Sequence, residues 1–361
     1  MLTGVYWDET LQRHQQFAEY LVKNGFQVYF IEHIVSSKFN LKAVLQRFFK
    51  GRKNDKFNAN PKSKGIHLYS PNFLFPGSGC FDIYNKYRVS ELIEKTGSEF
   101  DLVINYLPIS TTRYIIEAIN YKKLIYDCVR NFKAWGGYYS SIEKEEEWLI
   151  NNSDTIFTDS AFLTDAMKQR TSKKVVQFMP IANNLWLSGC VERKIHSISK
   201  IAYFGSYGSH IDTETLRHLV EHKIELHVWG ELVEQPSFPF IYHGFCTDLS
   251  LLANEITTTV DAIIIPYKGN MDGVIPAKLI QCMTSGLPVV VSSFYDTNVL
   301  SDLLYVYRTQ EEALMYISKF QNSEFSIKLE KIKKFTRDLT EGQQLQDFSK
   351  KMNDLCLTQK E

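Results

Sequence analysis

Lys278 and Gln281 lie three residues apart, just behind Pro276 and ahead of the turn Gly286, Leu287, Pro288. Proline suits the first position of a helix, because the amide hydrogen it lacks would have no partner there. The spacing then sets the lysine and the glutamine on one face, one turn apart. The first amides of a helix are unpaired and attract anions. A lysine beside them adds a full positive charge, which suits a diphosphate. A glutamine amide both donates and accepts, which suits a ribose or sugar hydroxyl. Two glycine-bearing stretches accompany the pair: "GSYGSHID" (205–212), whose glycines let a backbone approach a ligand closely, and "WGE" (229–231), with Trp229 and Gly230.

These residues need strands to place them. "KIAYFG" (200–205), "IELHVWG" (224–230), "FIYHGF" (240–245), "DAIIIPY" (261–267), "LPVVVSS" (287–293) and "LLYVY" (303–307) are short apolar β-rich runs, with helical patterns between most of them. The first half repeats the rhythm with 3–7, 26–32, 66–71, 101–108, 123–129, 154–160 and 174–180. Such alternation predicts an α/β protein with parallel sheets and crossover helices. The break near 181–199 divides it into an N-terminal domain (1–185) and a C-terminal domain (198–335). Both are read as Rossmann-like and facing each other across a cleft, with ligands at the carboxyl ends of the strands. The polar stretch 336–361 is expected to form a C-terminal helix crossing back to the first domain, on an apolar stripe of Leu345, Phe348, Met352 and Leu355.

Composition narrows the classes. Apolar residues make up 44% of the 361 and charged residues 23%, which is globular. Lys plus Arg equals Asp plus Glu at 41 each, so overall charge gives no argument for nucleic acid, and no nucleic-acid partner is expected. Six scattered cysteines without a Cys-x-x-Cys pair predict free thiols in a reducing compartment and no metal site. The start has no basic and apolar signal pattern, and no run is long and apolar enough to span a bilayer. The expected location is cytoplasmic, with peripheral contact to the inner face of the plasma membrane.

Several blocks resemble the nucleotide-sugar-dependent glycosyltransferases of the two-Rossmann (GT-B) fold: "YFGSYGSHID", "DAIIIPYKGN" and "PAKLIQCMTSGLPVVVS" in the second half. In the first half, "WDETLQRHQQFAEYLVKNGFQVYFIE" (7–32), "LIYDCVRNFKAWGG" (124–137) and "NNSDTIFTDSAFLTDAMKQR" (151–170) are similar to a branch that builds bacterial surface polysaccharides. The large retaining, family 4-like group carries two glutamates eight positions apart. Gly273 and Gln281 stand at those positions here, and Arg130 and Asn131 replace an acidic pair. The Lys-x-x-Gln spacing is instead similar to the inverting xanthan glucuronosyltransferase type, in which the lysine and glutamine contact the donor diphosphate.

The resemblance implies a donor-binding set of Gly205, Ser206, Trp229, Gly230, Tyr267, Lys278 and Gln281, with Trp229 and Tyr267 stacking on the ligand. It implies a nucleotide-sugar substrate, UDP- or GDP-linked, with no cofactor, and a lipid-linked or oligosaccharide acceptor. No Asp-x-Asp occurs, so transfer is read as metal-independent and inverting. An inverting enzyme needs a group to take the acceptor proton. Asp127, ahead of His14 and Asp8, is expected to be that base, and Arg13 and Gln12 are expected to bind the acceptor. A non-catalytic partner subunit, a retaining transferase with a divergent site and a sugar-nucleotide epimerase remain as alternatives.

The stretch 38–65 holds nine cations, Lys38, Lys42, Arg47, Lys50, Arg52, Lys53, Lys56, Lys62 and Lys64, against the single acid Asp55. Phe39, Leu41, Val44, Leu45, Phe48 and Phe49 are interleaved. This pattern predicts a helix with apolar and basic faces that meets an anionic membrane surface.

Overall fold

The computed structural model describes residues 1–8, 12–37, 58–59, 64–77, 79–134, 141–180, 194–340, 342–344, 346–348 and 350. The chain divides into two units, Met1–Phe178 and Met179–Lys351.

In the first unit the strands are β1 (Val28–Ile31), β2 (Asn58–Ala59), β3 (Ile66–Tyr69), β4 (Glu99–Asn105), β5 (Asn120–Cys128), β6 (Thr155–Thr158) and β7 (Lys174–Gln177). They run in the orders β1-β3-β2 and β4-β5-β6-β7. Leu2 bridges the two groups, pairing in parallel with both Ile31 and Asn105. Only β2 is antiparallel. The expected strand 3–7 does not form; in its place Leu2, just before it, makes these two bridges. β1 ends at Ile31 and β4 at Asn105, and beyond Thr3 the chain continues as a bend whose Val5 carbonyl accepts the His33 amide. The resulting order places the chain start between β1 and β4, where the winding direction reverses.

The second unit contains β8 (Lys200–Phe204), β9 (Glu225–Trp229), β10 (Ile241–Tyr242), β11 (Ala262–Ile265), β12 (Val289–Ser292) and β13 (Tyr305–Tyr307). All are parallel, in the order β10-β9-β8-β11-β12-β13. This is the doubly wound order, with its reversal between β8 and β11. β11 and β12 are buried along their whole length, as near-continuous Ile and Val runs require when helices cover both faces. Caps set the helix starts: Asp212 accepts the amide of Thr215, Asp248 those of Ser250 and Leu251, and Thr309 that of Glu312.

A cavity of about 510 Å³, lined by Leu21, Val28, Leu92 and Leu102 among others, opens at the amino ends of β1 and β4. It lies at the end of the sheet opposite to the strand ends that carry the expected site residues. Most of 38–65 and the end of the chain after 350 fall outside the described residues. So do the expected basic helix and most of the C-terminal helix. Phe348, on a helical stretch after Thr340, is fully buried.

Candidate functional site

In the second unit, the loops after β8 and β11 meet at the reversal of strand order. Asp212 donates its amide to the Pro266 carbonyl at 2.7 Å, and Ile211 bridges to Tyr267. Pro276 is the cap residue rather than the first helical one, because its ψ of 127° is extended. The helix Ala277–Thr284 follows, and Lys278 sits in its first turn.

The Lys278 ammonium reaches back to the end of β8. It donates to the Phe204 carbonyl at 2.9 Å and to the Tyr203 hydroxyl at 3.4 Å. It lies over the rings of Tyr203 and Tyr267, at 4.6 and 5.0 Å from their centroids. Tyr203 in turn donates to the Ser206 carbonyl at 2.7 Å. Burial lowers the Lys278 pKa to about 8. Among the described residues no carboxylate lies within 4.0 Å of it. A half-buried ammonium held by neutral oxygens and ring faces is a cation short of its counter-charge.

Glycines make this approach possible. Gly205 has φ +119°, and a Cβ on it would stand 2.7 Å from the lysine Nζ. Gly230 has φ +126°, and a Cβ there would stand 2.2 Å from the Gly205 carbonyl oxygen. The Gly205 amide donates to the Trp229 carbonyl, and the Gly230 amide to the Gly244 carbonyl, both at 2.8 Å. The backbone just past the ends of β8, β9 and β10 is therefore linked strand to strand, Gly205 to Trp229 and Gly230 to Gly244. Ser206 is exposed beside this line. Gln281 is half-buried one turn beyond Lys278, and among the described residues its side-chain amide has no hydrogen-bond partner.

Trp229 does not fit its expected stacking role. Its side chain is 1% exposed, its indole N–H donates to Glu255 at 3.0 Å, and its face lies on His243 at 4.0 Å. Only its carbonyl takes part, through Gly205. Two residues escaped the sequence reading. Tyr203 looked like any inward residue of a buried strand. His210 was one polar residue in a loop, yet its ring lies 5.6 Å from that of Tyr267, and burial together with the Lys278 charge lowers its pKa.

In the first unit, Asp127 is fully buried near the end of β5. Arg13, from the helix Arg13–Lys23, grips it with two bonds, Nε to Oδ2 at 2.9 Å and Nη2 to Oδ1 at 2.8 Å. The third guanidinium edge donates to the Phe178 carbonyl. Burial pushes the Asp127 carboxyl above its ordinary range, against the pull of the Arg13 charge. This corrects two expectations. Asp127 has both oxygens engaged and no exposed surface to meet an acceptor, so it is no free base. Arg13 spends its fork on Asp127 and Phe178, not on an acceptor phosphate.

His14 is the adjacent residue on that helix. Its ring lies 4.0 Å from that of Tyr106. It is 7% exposed, and its Nδ1 is buried without a hydrogen-bond partner. Burial first, then the charges of Arg13 and Arg130, push its pKa down to about 3. The structure thus brings Arg13, His14 and Asp127 together. Gln12 is the exposed residue capping the helix, its amide held by Gln15 Oε1 at 3.0 Å, and Asp8 is exposed on the preceding loop.

No protein-family model matches the chain, and no curated protein sequence matches it. Solved structures do. Sucrose-phosphate synthase from Thermosynechococcus elongatus aligns over 99% of this chain and 98% of its own, with a TM-score of 0.67 at 12% identity. HepE of Anabaena, in complex with UDP, aligns over 98% of this chain and 99% of its own, with a TM-score of 0.65 at 9% identity. A UDP-forming α,α-trehalose-phosphate synthase from Burkholderia xenovorans, in complex with glucose-6-phosphate, aligns over 84% and 89%, with a TM-score of 0.57 at 12% identity. At such identities the likeness carries the fold, and the fold is GT-B, with two Rossmann-like domains.

Proposed function

We propose that the protein is a glycosyltransferase that takes a sugar from a nucleotide-diphosphate donor. The observation that carries this reading is Lys278, an ammonium without a carboxylate partner at the strand-order reversal of a Rossmann-like unit. When the bond from the sugar to the diphosphate breaks, negative charge grows on the leaving oxygen, and a preorganised cation stabilises it. Lys278 supplies that charge together with the first amides of its helix. The Gly205, Ser206 and Gly230 backbone lies against the diphosphate, and Gln281 holds a ribose or sugar hydroxyl. Tyr267 lines the lysine. The UDP named for HepE and for the trehalose-phosphate synthase favours a UDP-linked donor over a GDP-linked one.

The first unit takes the acceptor in this reading. His14, neutral at physiological pH, offers Nε2, the ring nitrogen that is not buried, to the acceptor hydroxyl and receives its proton as the new bond forms. The Arg13–Asp127 clamp fixes the helix that carries it. The acceptor is read as a lipid-linked saccharide of surface polysaccharide biosynthesis, met at an anionic membrane through the basic stretch 38–65. Lys278 provides positive charge without a metal, and transfer is read as inverting.

One observation favours a retaining reading: a trehalose-6-phosphate synthase of similar fold, whose structure concerns glycosyl transfer with retention. The test is a thermal-shift screen of nucleotide sugars, followed by NMR of the product made from the best donor. A raised midpoint and a product of opposite anomeric configuration support the proposal. No shift with any nucleotide sugar defeats the donor assignment, and a retained anomer defeats inversion alone.

A further inference from the structure

His210 stands in the loop that leaves β8, and the backbone fixes its place there. Its carbonyl accepts the Lys268 amide at 3.0 Å, and the next two residues, Ile211 and Asp212, pair with Tyr267 and with the Pro266 carbonyl. The loop after β8 is thus tied to the loop after β11. The His210 side chain is exposed. Its ring lies 5.6 Å from the Tyr267 ring, and the Lys278 ammonium lies 5.0 Å from the centre of that same ring. One tyrosine ring therefore has an imidazole and an ammonium against it, at the reversal of strand order.

The groups around His210 pull its proton both ways. Burial disfavours a proton on the ring, and so does the Lys278 charge. Glu234, whose amide donates to the Tyr207 carbonyl, favours one, as does the Ser206 carbonyl. The balance lowers the pKa, so the ring is mostly neutral at pH 7. Nδ1 is turned towards the loop itself, 3.8 Å from where a Cβ on Gly208 would stand. Nε2 lies across the ring. When Nδ1 carries the single proton of the neutral ring, Nε2 presents a lone pair, which a phosphate oxygen repels. A second proton turns Nε2 into a charged donor. A nucleoside diphosphate brings full negative charge to a site where two nitrogens oppose each other's protons, and so favours the charged form of both.

We propose that His210 takes up a proton from solvent when the diphosphate binds and becomes the second cation of the donor site, beside Lys278. Donor affinity is thereby tuned by pH. The inference rests on the donor reading of Lys278 and goes beyond it, because the lysine alone takes up little at pH 7. With a pKa of about 8, it is already about nine-tenths protonated there.

The test is calorimetric titration of UDP into the full chain at pH 7 in two buffers of different ionisation enthalpy, Pipes and Tris. The difference between them counts the protons taken up. The wild type is expected to take up about 0.2–0.7 proton per UDP, as when the bound diphosphate raises the proton affinity of His210 by about ten- to a hundredfold. Lys278 adds about 0.1, and the terminal phosphate of UDP, half-ionised near about pH 6, releases about as much. His210→Gln should lose most of the uptake. It should bind UDP about two- to tenfold more weakly at pH 6.5, and nearly as tightly as the wild type at pH 8.5. His210→Lys, a permanent cation at the same place, should regain the affinity that His210→Gln loses. The side chain is exposed, so both variants should melt with the wild type. Wild-type protein that binds UDP at pH 7 without taking up a proton overturns the inference and leaves the donor reading standing. So does a His210→Gln protein with undiminished uptake. Wild-type protein that does not bind UDP overturns both.

Discussion

The ammonium of Lys278 stands 2.7 Å from where a Cβ on Gly205 would begin. The two residues share one space, and the glycine is there because the lysine is. Gly205→Ala should therefore expel the ammonium from its seat and lose nucleotide binding, with added strain from φ +119°. Gly230→Ala is harsher, because its Cβ would meet a backbone oxygen at 2.2 Å and not the end of a flexible side chain. It should cost on the order of 1–3 kcal/mol or more of stability. Thermal melts and UDP titration of both variants check this. A Gly230→Ala protein as stable as the wild type would refute the packing argument.

Lys278 should carry a stability cost with a defined pH signature. Burial lowers its pKa from 10.5 to about 8. Between those values the unfolded chain holds a proton that the folded chain has lost, so stability rises with pH across that window. Below about pH 8 the folded protein bears the full penalty of the buried charge. Lys278→Met should then raise stability at pH 7 by on the order of 1–3 kcal/mol, with the gain fading between about pH 8 and pH 10.5. Denaturant melts at pH 7 and pH 10.5 measure it. A variant less stable than the wild type at pH 7 would show that the ammonium is well paired.

His14 gives the opposite limb of the pH profile. Its pKa falls from 6.5 to about 3, so between those values the unfolded chain takes up a proton that the folded chain refuses. Stability should drop as pH falls from about 6.5 towards 3. His14→Phe keeps a ring against Tyr106 and removes the titration. It should lose less stability than the wild type between pH 7 and pH 4, by on the order of a few kcal/mol. Equal losses in the two proteins would mean that His14 titrates freely. In the transfer reaction the same variant should lower turnover and leave UDP affinity unchanged.

The alternating runs of the chain showed the fold because parallel strands buried on both faces are near-continuous apolar runs, as "AIII" and the Val289–Val291 part of "VVVS" are. The site was legible where local spacing determines it. Lys278 and Gln281 lie one helical turn apart, and that spacing survives folding. It was not legible where partners are distant in sequence. Arg13 and Asp127 are 114 residues apart, and nothing local to either says that one consumes the other. Tyr203 and Trp229 show the same limit from two sides. Both are aromatics near strand ends, yet the Tyr203 ring meets the ammonium and the Trp229 ring is spent on His243 and Glu255.

The Arg13–Asp127 clamp predicts a strong asymmetry between single and double variants. Arg13→Met leaves a buried carboxylate without its cation and should cost about 3–5 kcal/mol. Asp127→Leu strands the guanidinium in the same way. The double variant should be less damaged than the sum of the two, because no lone charge remains. A double-mutant cycle by denaturant melts measures the coupling, and strict additivity would show that the pair does not interact.

The central claim is that Lys278 receives the diphosphate of a nucleotide donor. Calorimetric titration of UDP into the wild type and into Lys278→Ala at pH 7 tests it most directly. The account predicts that the variant stays folded and binds more weakly by about 1.5–3 kcal/mol, the range for a lost charged hydrogen bond. A folded Lys278→Ala protein that binds UDP as tightly as the wild type would contradict it.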